Sequence, residues 1–147
     1  ACRSVIVRTS WLYSPYGRNF VKTMRSLMRS GRELKVVYDQ LGCPTYAADL
    51  ADALMHIIHG PRIEGNTIYH YSDEGVVSWY DFAQAIRELS GYDCRVVPCL
   101  TGEYPTKARR PHYSVLDKSA IKRAYRLEIP YWRDSLARCI DRMDDGL

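Results

Sequence analysis

The sequence predicts an α/β protein, and three observations lead there. Short β-branched runs alternate with amphipathic stretches in the order strand, helix, strand, helix, strand, helix, strand, then helices. The first strand run is nearly all apolar, which suits the interior of a parallel sheet better than an edge. The 147 residues, 46% apolar and 26% charged, have the composition of one ordinary globular domain with enough surface to bury a core.

Ser4-Val-Ile-Val-Arg-Thr9 reads as the first strand. Asn19 to Ser30 reads as a helix, with Phe20, Met24, Leu27 and Met28 on one stripe and Lys22, Arg25 and Arg29 on the opposite, solvent side. Gly31 stops it. Lys35-Val-Val-Tyr38 is a second strand. After the loop Asp39 to Thr45, Thr45 is expected to N-cap a helix from Tyr46 to His59 with the stripe Leu50, Leu54, Ile57 and Ile58, which Gly60-Pro61 ends. Thr67 to Tyr71 is a third strand. Ser78-Trp-Tyr-Asp81 is a capping box with Asp in its last place, opening a helix to Ser90 that Gly91 closes. Arg95 to Pro98 is a fourth strand, followed by a long loop, Cys99 to His112. A short helix is expected near Lys118 to Tyr125. Pro130 opens a last helix, striped by Trp132, Leu136, Cys139 or Ile140, and Met143.

Composition excludes several classes. No apolar run approaches the roughly 18 residues of a membrane span. The opening Ala1-Cys2-Arg3-Ser4 has no leader pattern, so no retained signal peptide is expected. Five cysteines, an odd number with no CxxC, argue against a disulfide framework and for a reducing, cytoplasmic compartment. The net charge of +4 divides into +7 for residues 1–35, −7 for 36–103 and +4 for 104–147. Basic segments flanking an acidic middle fit a small anionic ligand or solvated helix faces. No recognition motif accompanies them, so no nucleic-acid partner is expected.

Self-contained catalytic signatures are missing. The nine glycines are scattered, and no GxGxxG or GxxxxGK occurs. His56 and His59 lie i, i+3 without an HExxH frame, so no metal site is assigned. No GxSxG elbow is present.

Three polar–aromatic strings stand out at strand ends and in loops, where α/β proteins place ligands. They are Arg8-Thr-Ser-Trp-Leu-Tyr13, Asp39-Gln-Leu-Gly-Cys-Pro-Thr-Tyr46, and the run from Glu103 to Asp117 that contains Arg110-Pro-His-Tyr-Ser-Val-Leu-Asp117. RTSWLYS with DQLGCPTYAADLA, SWYDFAQAI and RPHYSVLD is a specific combination. On these strings the sequence resembles the C-terminal half of the dTDP-4-dehydrorhamnose reductases, extended short-chain dehydrogenases/reductases.

The resemblance implies the C-terminal portion of an extended Rossmann-like reductase, including its small substrate-binding subdomain. Residues 1–147 would then be a single substrate-binding half, with the N-terminal NADPH-binding half lying elsewhere. Such enzymes reduce dTDP-4-dehydro-L-rhamnose to dTDP-L-rhamnose with NADPH or NADH. Their YxxxK catalytic pair is absent, since none of the twelve tyrosines has a lysine four residues on. The chain alone is therefore expected to be inactive. By resemblance, Trp11, Asn19, Phe20, Gln40, Thr45, Arg109 and Arg110 fall to the dTDP-sugar, with His112 and Tyr113 as neighbours, and Arg8, Thr9 and Ser10 to the nicotinamide side. Asn19 and Thr45 have competing capping roles. Magnesium, known in the family at a dimer contact, is assigned to no residue. The alternative is a non-catalytic nucleotide-sugar-binding or regulatory module that pairs with a partner chain or, through exposed sheet edges, with a second copy of itself.

Overall fold

The computed structural model describes residues 3–60, 65–104 and 108–144. Among the described residues, eight strands are interspersed with five α-helices. They are β1 (Ser4–Arg8), β2 (Leu12–Tyr13), α1 (Phe20–Met28), β3 (Leu34–Val37), β4 (Leu41–Gly42), β5 (Thr45–Tyr46) and α2 (Ala47–His59). β6 (Asn66–His70), β7 (Val77–Ser78), α3 (Trp79–Leu89), β8 (Val96–Cys99), α4 (Ser119–Tyr125) and α5 (Trp132–Asp144) follow. The long loop after β8 contains a 3-10 turn at Thr101–Glu103. Pro61 and Lys107 lie outside the described residues.

The strands pair as two-stranded ribbons. β1 runs parallel to β6, β2 to β5 and β3 to β8, while β4 and β7 are antiparallel. The parallel pairing expected from strand–helix alternation is present. Two cores result. The larger joins α1, α3 and α5 around Tyr13, Val21, Phe82, Ile86, Trp132, Leu136 and Ile140. The smaller lays α2 and α4 on one face of β1–β6 through Ala53, Ile57, Tyr71, Ile121 and Tyr125, with Val5, Val7 and Tyr69 beneath. The other face of that ribbon is bare: Ile6 and Ile68, paired in register, are 53% and 50% exposed. Leu54, Met55 and Ile58 of α2 are also exposed.

Local signals hold where local chemistry decides. Asn19 caps α1 by accepting from the Lys22 N–H at 3.1 Å. The Ser78 hydroxyl accepts from the Asp81 N–H at 3.0 Å, and the Asp81 carboxylate accepts from the Ser78 N–H at 3.0 Å, completing the capping box of α3. Gly31 and Gly91 take left-handed conformations past their helices. The α5 stripe is buried as expected at Trp132, Leu136, Cys139 and Ile140.

Three expectations are corrected. First, the inward face of α1 is wider than the expected stripe: Phe20, Met24 and Met28 pack on the larger core as expected, but Val21 and Arg25 are buried with them and Leu27 is exposed. The Arg25 stem packs inward while its guanidinium reaches the Met143 sulfur at 3.3 Å and lies over the Tyr92 ring at 5.9 Å, so a charged head is accommodated beside an aromatic face. Second, the inward residues of α2 are Asp49, Ala53 and Ile57, with Leu54 and Ile58 turned out. Asp49 is drawn in because Ser135 and Arg138 of α5 receive its carboxylate. Third, Thr45 is not the cap of α2. It is fully buried in β5, Tyr46 precedes the helix without a side-chain cap, and Asp73 accepts the Tyr46 N–H at 2.9 Å.

Candidate functional site

Two adjoining clefts open where β2, β3, β4 and the long loop meet the N-terminal ends of α1 and α3. The first, about 180 Å³, is an apolar slot between Phe20 and Met24 of α1, Val36 and Val37 of β3, and Trp79 of α3; Lys35, Tyr104 and Arg110 stand at its rim. The second, about 340 Å³, is walled by Ser10, Trp11, Pro111 and Ser114. Gln40, Trp79 and Arg110 line both, so the two clefts share one dividing wall.

Each wall has a local cause. Trp11 sits between β1 and β2 with φ +45°, a conformation that costs a bulky residue about 1–2 kcal/mol. Its indole stacks on Trp79, ring centroids 3.5 Å apart and planes within 10°. Gly42 lies against its other face, where a Cβ would stand 2.6 Å from the indole. Trp79 is the first residue of α3, held by the capping box, and Phe20 packs tilted beside it at 4.7 Å. Gln40 is buried, and its amide donates to the Thr101 hydroxyl at 3.0 Å. That hydroxyl donates to Asp39 at 2.7 Å, holding the Asp39 carboxyl below its ordinary range. The loop returns through residues 112–114, which pair with Leu41: its N–H donates to the His112 carbonyl at 2.8 Å, and the Ser114 N–H donates to its carbonyl at 2.9 Å. This pairing brings Arg110 over the dividing wall.

Of the sequence-expected residues, Ser10, Trp11, Phe20, Gln40 and Arg110 converge on the clefts. The others do not. Arg109 is exposed and lines neither. Asn19 spends its side chain on the α1 cap and on the Ser14 carbonyl at 2.8 Å. Thr45 is buried beneath, accepting from the Thr9 hydroxyl at 3.2 Å. Arg8 ends β1 exposed, and the Ser10 hydroxyl donates to the Cys43 carbonyl at 2.9 Å. His112 Nδ1 lies 2.8 Å from the Asp39 carbonyl oxygen, and Tyr113 is exposed. Sequence reasoning missed Trp79, Lys35 and Tyr104. Trp79 was visible inside SWYDFAQAI as an aromatic at the first position of a capped helix, a place where a side chain overhangs a strand end.

The two groups expected from the resemblance fit these residues differently. β1 passes to α1 through a junction whose one glycine is Gly17, so the chain by itself offers no dinucleotide turn, only the β1 end at Arg8–Ser10. No three acidic, histidine or cysteine side chains gather into a metal-binding group among the described residues.

The family described as the RmlD substrate binding domain matches residues 1–145. The spore coat polysaccharide biosynthesis protein SpsK of Bacillus subtilis is 45% identical over 133 residues, covering 90% of this chain and 45% of that protein. A dTDP-4-dehydrorhamnose reductase of Clostridium acetobutylicum superposes with a TM-score of 0.87 at 42% identity, covering 95% of this chain and 49% of the other. The Bacillus anthracis enzyme of the same name, solved in complex with NADP, gives 0.85 at 39%, covering 94% and 48%. The chain spans about half the length of the curated relatives it matches. With its mixed α/β architecture, its RTSWLYS and RPHYSVLD strings at one pair of clefts and this breadth of similarity, the chain belongs to the RmlD substrate-binding domain family.

Proposed function

We propose that this chain is the substrate-binding half of a dTDP-4-dehydrorhamnose reductase. It holds a dTDP-linked 4-keto-6-deoxyhexose, while an N-terminal Rossmann half brings NADPH or NADH and the YxxxK pair, in the cytoplasm. The observation that carries this reading is the shared wall of the two clefts. The apolar slot between Phe20, Val36 and Trp79 suits a planar nucleobase. The Arg110 guanidinium, a fork with donors matched to phosphate oxygens, suits the diphosphate. Trp11, with its indole held between Trp79 and Gly42, walls the second cleft beside the deoxyhexose and keeps water from it. Arg8, Thr9 and Ser10 flank the place where the nicotinamide would approach.

The bare face of β1–β6 supports a covering half. Ile6 and Ile68 form an apolar strip on a parallel ribbon, and β1 has no second strand neighbour among the described residues. Parallel ribbons are normally covered on both faces. A chain spanning half of its relatives leaves room for that cover.

The test is calorimetric titration of dTDP-rhamnose and dTDP into this chain, alone and with the N-terminal half of a relative. Binding that favours the dTDP-sugar over free hexose, with NADPH oxidation on the 4-keto sugar appearing only in the joined protein, supports the reading. NADPH oxidation by this chain alone, or dTDP-sugar failing to bind in both states, overturns it. A chain that self-associates through the β1–β6 face and binds dTDP-sugar without gaining turnover on joining is a binding module instead.

A further inference from the structure

The geometry points to Trp79 as a positioning residue for Trp11, and so as a determinant of which hexose the second cleft accepts. This rests on the reading that Trp11 faces the sugar. Trp11 has a costly backbone conformation and lies only half buried, so its neighbours must hold the plane of its indole. Two neighbours do. Trp79 covers one face at 3.5 Å, nearly parallel. Gly42 lies so close to the other face that any side chain there would collide, its Cβ falling 2.6 Å from Cε2 and 2.7 Å from Cζ2. The indole is gripped between a flat ring and bare backbone.

Trp79 is itself immobilised. It begins a helix whose capping box is complete, and Phe20 packs on its other side at 4.7 Å. With both flanks covered, Trp79 meets either cleft by its edge, and its influence on a bound sugar runs through Trp11. The same ring edges the nucleobase slot. One rigid side chain therefore sets the spacing between the slot and the Trp11 wall. That spacing limits which hexose, hung from a nucleotide of fixed length, reaches its seat. Preorganisation of this kind favours ligands that fit without moving the wall.

The experiment follows the position of Trp11 independently of ligand. In isotopically labelled protein, nuclear Overhauser contacts between the Trp11 indole and the Gly42 α-protons report whether the indole stays in its seat. Trp79→Leu is expected to lose those contacts, and Trp79→Phe, which restores a flat ring, to keep them. Gly42 has no left-handed φ, so Gly42→Ala introduces no backbone strain and acts by displacing the indole. It is expected to shift the Trp11 indole signals and leave those of Trp132 in place. In titrations, Trp79→Leu is expected to weaken dTDP-rhamnose about tenfold while dTDP alone changes less. Contacts intact in Trp79→Leu overturn the positioning role, and Trp11 signals unshifted in Gly42→Ala overturn the grip between ring and backbone. If wild-type protein binds no sugar nucleotide, the substrate reading fails, and the Overhauser contacts still decide what holds Trp11.

Discussion

Arg138 donates to both carboxylate oxygens of Asp49, at 2.6 and 2.8 Å, and the Ser135 hydroxyl donates to the same carboxylate at 2.5 Å. Asp49 is 4% exposed on α2, and its partners lie on α5. The contact ties the helix that covers β1–β6 to the helix that closes the larger core. Removing one partner of a buried pair leaves an uncompensated charge, which costs more than the pair gains. Because the Arg138 side chain is half exposed, Arg138→Met is expected to cost about 2 kcal/mol rather than the full buried-pair penalty. Replacing Asp49 by Leu in the same background should recover part of the loss. Urea denaturation of the single and double variants measures both.

Asp73 sits fully buried where the two cores meet, with one carboxylate oxygen on the Tyr46 N–H. Burial pushes its carboxyl up to about 7 from the ordinary 3.8. The folded protein therefore holds this proton through a range in which the unfolded chain has released it. The stabilisation is complete below pH 4 and is lost as pH rises towards 7. Asp73→Asn keeps an acceptor and removes the titration. The stability difference between variant and wild type should grow in the variant's favour by a few kcal/mol from pH 4 to pH 8, measured by urea denaturation. A constant difference would contradict it.

Ser78→Ala removes the hydroxyl that accepts the Asp81 N–H and donates to the Asp81 carboxylate, leaving the backbone N–H of residue 78 on that carboxylate. The expected cost is about 1–2 kcal/mol. Since Trp79 is the next residue, loosening the cap should also weaken Trp11–Trp79 stacking, seen as altered near-ultraviolet circular dichroism well below the unfolding temperature.

Arg109 and Arg110 are adjacent, and only Arg110 lines the clefts. Arg110→Ala is expected to weaken dTDP-sugar binding at least tenfold and to reduce its salt dependence, as loss of a charge-assisted contact to phosphate requires. Arg110→Lys should restore charge but not the bidentate geometry, recovering part of the affinity. Arg109→Ala should bind as wild type. Equal effects at the two positions would count against the assignment.

What the sequence by itself determined is what short-range chemistry determines. The α3 capping box, the Asn19 cap, the glycines past α1 and α3, and the α5 stripe each depend on residues within a few positions of one another. The motif strings likewise identified the family and four of the residues that reach the clefts, Ser10, Trp11, Gln40 and Arg110. Tertiary structure decided the rest. The two-residue strands β2, β4, β5 and β7 have no periodicity to read and exist because distant partners complete their hydrogen bonds. The inward face of α1 was chosen by Tyr92 and Met143, which make room for Arg25, and that of α2 by Ser135 and Arg138, which receive Asp49. Thr45 could cap a helix by its chemistry, yet β5 needed it buried against Thr9. Trp11 and Trp79 meet only when α3 is laid across the end of β2, because stacking requires two rings to share a place and a plane. No spacing along the chain encodes that, so the wall between the clefts appears only in the folded protein.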